Sequence, residues 1–161
     1  MSGTHIDEAR QTILLGVAAE ANILAKLLAK SSSSPLTSGN LAALTGSVQI
    51  LSIIGRVTTA IQAQGTTVKL SLVSDSLASF DICTTLDING FAVGSLLTID
   101  GTPADAMIGT TGVAVAIAQA KPIDFTCITG GHLTVTYGAA STGAIAWEIR
   151  WLPLNAAGSM S

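Results

Sequence analysis

The chain has 161 residues, of which 48% are hydrophobic, 4% aromatic and only 11% charged, with a net charge of −3. That length is one domain on the usual scale of about 100–200 residues, enough to bury a core without metals or bridges. Low charge with high apolar content excludes disorder as the main state, and seven scattered Lys and Arg without a basic stripe exclude a nucleic-acid binder.

The first predicted element is a helix over residues 4–30. Thr4 stands as its cap, Asp7 and Glu8 suit its positive N-terminal end, and Lys26 and Lys30 suit its C-terminal end. Leu14, Val17, Ala21, Leu24 and Leu28 recur at 3-4-3-4 spacing, a seam of coiled-coil type. Such a seam packs either on its own domain or on copies of itself. The mean hydropathy of +0.60 raises the question of a membrane span. The most apolar stretch, residues 13–29, is interrupted by Glu20, Asn22 and Lys26, whereas a spanning helix takes about 20 apolar residues. A signal peptide begins with basic residues, and this chain begins with Asp7 and Glu8 against one Arg10. The expectation is a soluble chain with no membrane partner. Its poorly charged surface is covered by association.

Ser31, Ser32, Ser33, Ser34 and Pro35 end the helix and read as a linker that continues to Asn40. Residues 41–45 read as a short helical turn ending at Gly46. From Ser47 the pattern is β. Val48, Ile50, Ile54 and Val57 predict one long strand with a bulge or bend at Gly55. Residues 67–74 alternate, with Val68, Leu70 and Leu72 on one face. Residues 80–88 read as a strand entering an Asn89-Gly90 hairpin turn, with 91–93 returning. Residues 96–99, 113–117, 123–127 and 132–137 give further strands. The last strand alternates Ile145, Trp147, Ile149 and Trp151 with Ala146, Glu148 and Arg150, and Pro153 closes it. The fold class is therefore mainly β: an antiparallel, jelly-roll-like β-sandwich preceded by an N-terminal α-helical arm. The arm and Ser-rich linker take residues 1–46 and the sandwich residues 47–161.

The candidate chemistry is sparse. Asp87-Ile88-Asn89-Gly90 resembles the opening of a calcium-binding loop, but the Glu that should close it is absent, and a turn accounts for the residues better. Asp81, Asp87, Asp100, Asp105 and Asp124 fall in or near loops with no ligand spacing. His132, Ser141 or Thr142, and Glu148 are the nearest approach to a triad, without a nucleophile elbow. Cys83 and Cys127 read as two small buried hydrophobes in a reducing compartment, with one disulfide between adjacent strands as the alternative. No catalytic residue, cofactor or metal is expected. The Trp147/Trp151 stripe is expected in the core; exposed, it would be a subunit contact or a sugar platform. Leu14, Val17, Ala21, Leu24, Leu28, Glu148 and Arg150 are the candidate interface residues.

The segments GHLTVTY at residues 131–137 and ASTGAIAWEIRWLPL at residues 140–154 resemble the final hairpin of β-rich virion proteins of tailed bacteriophages. IGRVTTAIQA at residues 54–63 is similar to their opening strand. Together they cover about one fifth of the chain. The resemblance implies a non-enzymatic structural protein of the virion, made in the host cytoplasm. It implies a head decoration (cement) role as a homotrimer, bound to the major capsid protein or other virion subunits. The alternative is a carbohydrate- or receptor-binding β-sandwich of a phage tail or fibre.

Overall fold

The computed structural model describes residues 25–99, 108–110, 125–127 and 130–161. Its strands in chain order are β1 (Lys26–Ser32), β2 (Gly39–Thr45), β3 (Val48–Thr59), β4 (Thr67–Ser74), β5 (Phe80–Asp81), β6 (Leu86–Asp87), β7 (Leu96–Thr98), β8 (Ile108–Thr110), β9 (Phe125–Cys127), β10 (Gly131–Tyr137), β11 (Ala144–Pro153) and β12 (Ser159–Met160). Among the described residues they form two antiparallel sheets. One runs β1-β11-β3-β7-β8, with β9 on the start of β3; the other runs β12-β2-β10-β4-β5, with β6 on the start of β4. The described residues contain no helix long and apolar enough to cross a membrane.

The sheets stack because each hides one apolar face. Val48, Ile50, Ile53, Val57, Leu97, Ile145, Trp147, Ile149 and Trp151 come from the first sheet. Leu41, Leu44, Val68, Leu70, Leu72, Leu133, Val135 and Tyr137 come from the second, and together they make one core. The period of two in β11 and β10 places every second side chain in that core and its neighbours outside. The mainly β, antiparallel sandwich expected from the alternation is the observed architecture.

The N-terminal third departs from expectation. Residues 26–32 are a strand, not the end of a helix: β1 lies along β11 in a seven-residue register from Lys26↔Trp151 to Ser32↔Ile145. Ser31 and Ser32 are therefore ladder residues rather than linker. Residues 39–45 are also a strand, β2, packed between β10 and β12 instead of forming a helical turn. Both segments belong to the sandwich, which thus takes in residues assigned to an arm and linker ending at 46. The physical reason is that β11 carries backbone N–H and C=O groups along both edges, and β1 pairs those that β3 leaves open. Pairing with it overrides the helical preference of Ala, Leu and Lys. Residues 4–24 of the expected helix lie outside the described residues.

Two smaller corrections have clear causes. β3 runs unbroken through Gly55, and its register against β11 slips near its two ends, not at the glycine. Gly55 instead makes room for a ring: a Cβ there would stand 2.7 Å from Trp147 Cζ3. Gly55→Ala is expected to cost about 1–3 kcal/mol through overpacking, read as a lower Tm. An unchanged Tm would mean that the indole is not seated on the glycine. Residues 80–88 form only the two short strands β5 and β6, and residues 91–93 do not return as a strand. Phe91 N–H donates to Ile88 O at 3.2 Å and Gly90 has φ +66°, while no non-glycine residue among those described has positive φ. That excludes the two-residue hairpin turn with both central residues left-handed, which an Asn-Gly pair favours. Asn89 is used otherwise: its Oδ1 accepts Thr66 N–H at 2.8 Å.

Candidate functional site

Among the described residues, β1 is an edge strand of its sheet. Its inner row is Lys26, Leu28, Lys30 and Ser32, and its outer row is Leu27, Ala29 and Ser31, as the register with β11 dictates. Lys26 Nζ sits over the Trp151 ring, 5.2 Å from its centroid, a cation–π contact with the face of the tryptophan. Lysines on an edge strand discourage pairing with a stray strand. Trp147 Nε1–H donates to Ser32 Oγ at 3.1 Å, which satisfies the indole of a side chain only 1% exposed.

Beyond Ser32 the chain turns through residues 33–38 into β2. Leu36 N–H donates to Ser141 O at 2.8 Å, and Ser38 Oγ accepts Tyr137 N–H at 2.8 Å, so the turn is tied to both ends of the β10–β11 connection. Between the end of β1 and the start of β2 lies a groove of about 460 Å³, whose lining includes Lys30, Ser31 to Ser34, Thr37 and Asn40. Tyr137 is buried beside Ser32 and Trp147; burial pushes its phenol pKa up, and the Ser32 and Trp147 side chains offset this in part.

The outer faces of the two sheets differ. On the first sheet the register lines up Leu27 with Arg150, Ala29 with Glu148 and Ile54, and Ala146 with Arg56 and Leu96. Leu27 is 63% exposed. The second sheet turns outward Thr67, Lys69 and Ser71 of β4 and Thr134 and Thr136 of β10. Here Lys69 Nζ and Asp81 Oδ2 pair at 3.0 Å. Hydrogen bonds from Ser71 and then Lys69 hold the Asp81 carboxyl below its ordinary range.

The expected interface residues divide accordingly. Glu148 and Arg150 point outward on β11, and the described residues offer neither an ion-pair partner. Leu28 is partly buried against the core from the inner row of β1, so it is not part of an exposed helical seam. Leu14, Val17, Ala21 and Leu24 lie outside the described residues. Trp147 and Trp151 are in the core, as the alternation predicts, so neither offers an exposed platform.

The conceivable triad is not assembled. His132 Nδ1 is 3.9 Å from Asp75 Oδ1 on the second sheet, Ser141 Oγ is spent on Gln62 O and Thr142 O, and Glu148 faces outward on the other sheet. Asp87 Oδ1 accepts Asn89 N–H at 2.9 Å. No group of three metal-ligating side chains occurs among the described residues. Asp100, Asp105 and Asp124 lie outside them. Cys83 is buried, with Sγ 3.4 Å from Leu70 N.

The groove was missed because a run of serines before a proline has linker composition. The signal that was present is the run's adjacency to Lys30, which brings a cation and several hydroxyls into one short segment. No family model, no curated protein and no solved structure matches this chain.

Proposed function

We propose that the chain is a non-enzymatic structural subunit of a tailed-phage virion, a decoration or cement protein. It associates as a trimer and ties the major capsid protein or other virion subunits together. In this reading it is made in the host cytoplasm, carries its jelly-roll-like sandwich behind a helical arm, and uses no cofactor, nucleic acid or membrane. The observation that carries the reading is the outer face of the β1-β11-β3-β7 sheet. Exposed Leu27, with Ala29, Ile54, Leu96 and Ala146 in the same rows, surrounds Glu148, Arg150 and Arg56, which lack ion-pair partners among the described residues. A face of that kind gains by covering its apolar atoms and by matching its charges across a contact. The mechanism is burial, repeated over many copies, each contact multiplied by avidity.

Sedimentation velocity at micromolar concentration is expected to give a mass about three times that of the 16.2 kDa chain. A stable monomer overturns the proposal. Glu148→Arg, on the exposed side of β11, is expected to weaken association about tenfold with an unchanged Tm. Mass spectrometry of purified particles then tests the virion assignment directly. The alternative, a carbohydrate- or receptor-binding module of a tail or fibre, has no tryptophan platform to use, since both tryptophans are in the core.

A further inference from the structure

We propose that the groove between β1 and β2 binds an acidic saccharide unit, a pyranose-sized polar molecule carrying a carboxylate or a phosphate ester. The inference goes beyond the structural role above and stands or falls separately from it. The groove's volume, about 460 Å³, is within the about 300–1,000 Å³ of small-molecule sites. Its lining is not the apolar one such sites usually have. Serine and threonine hydroxyls, the Asn40 amide and backbone groups of the segment supply both donors and acceptors. That lining suits a ligand rich in hydroxyls. Val135 and Leu41 add a small apolar patch for the C–H face of a ring.

Charge selects an acid. Among the described residues, Lys30 is the one ionisable residue of the lining, no carboxylate lines the groove, and Lys30 has no ion-pair partner. A cation left uncompensated in a chain of net charge −3 favours an oxyanion, and a charged hydrogen bond is stronger than a neutral one.

A second observation comes from the neighbour of Ser32. Tyr137 is 7% exposed, and its hydroxyl has no hydrogen-bond partner of good geometry, although Ser32 lies beside it. Buried hydroxyls are ordinarily paired. Ser32 Oγ already accepts from Trp147 Nε1 and lines the groove, so its own proton is available. A ligand oxygen accepting the Ser32 proton would complete a chain from the indole through Ser32 to the ligand, with the second lone pair of Ser32 Oγ left to accept from the neighbouring Tyr137 hydroxyl. Among the described residues no aromatic ring lines the groove, so the affinity is set by hydrogen bonds and one charge, with Kd of about 1–10 mM.

The test is an amide chemical-shift titration of the full chain with glucuronic acid, glucose 6-phosphate, neutral glucose and inorganic phosphate. Either acid is expected to shift the amides of residues 31–34, 37 and 40, and the carboxylate and phosphate arms tell which ester or acid is preferred. Lys30→Gln is expected to weaken the acids about tenfold and leave glucose unchanged. Asn40→Ala is expected to weaken acids and glucose alike. Lys69→Gln, whose ammonium is engaged with Asp81 on the second sheet, is expected to change neither. Absence of shifts with both acids up to about 50 mM, equal affinity for glucose, or the same Kd for inorganic phosphate alone overturns the proposal.

Discussion

Trp147→Ala is expected to lower stability by about 3–5 kcal/mol and Tm by roughly 6–20 °C for a domain of this size. The indole is fully buried, its ring fills the space over Gly55, and its Nε1–H holds Ser32 on β1. Truncation therefore opens a cavity, leaves the glycine side of β3 unpacked and removes the side-chain tie between β11 and the end of β1. Against a typical stability of 5–15 kcal/mol, the loss is enough to leave a large unfolded fraction at moderate temperature. Trp147→Phe separates the parts: it keeps most of the ring but drops the donor, and is expected to lie between wild type and alanine. Thermal melts followed by near-ultraviolet circular dichroism check both. A soluble Trp147→Ala protein with wild-type Tm would contradict burial of this side chain and put the β11 stripe on a working surface.

Removal of residues 1–34 is expected to be destructive, whereas removal of residues 1–24 leaves the sandwich folded. The longer deletion strips β1, with its seven paired residues along β11, the Lys26–Trp151 contact and the Trp147–Ser32 bond. It turns β11, the most apolar strand of the sheet, into a bare edge, and a bare apolar edge pairs with other chains. Aggregation during purification, or loss of a cooperative melt, is the expected result. The shorter deletion spares every described strand and should melt within a few degrees of the full chain. If the segment carrying Leu14, Val17, Ala21 and Leu24 drives association, the shorter chain also loses its oligomer in sedimentation. A soluble, cooperative 35–161 protein at wild-type Tm would restore the boundary that places residues 26–34 outside the sandwich.

The sequence by itself determined the β-sandwich and the sides of its long strands. A strand buried on one face must alternate, because successive side chains point to opposite sides. Once Ile145, Trp147, Ile149 and Trp151 are read as inward, Glu148 and Arg150 can only be outward, and β4 and β10 follow in the same way. The edges were different. In KLLAKSS, Leu27 and Leu28 point to opposite faces and both lysines fall on the inner row, so no period of two is visible, and Ala, Leu and Lys favour a helix. Only the unpaired ladder of β11, more than a hundred residues away in sequence, decides that this segment is a strand. The groove has the same origin. Serines 31–34 carry no mark of a site until β1 and β2 are brought side by side, because the walls of a cavity come from segments that only tertiary packing makes neighbours.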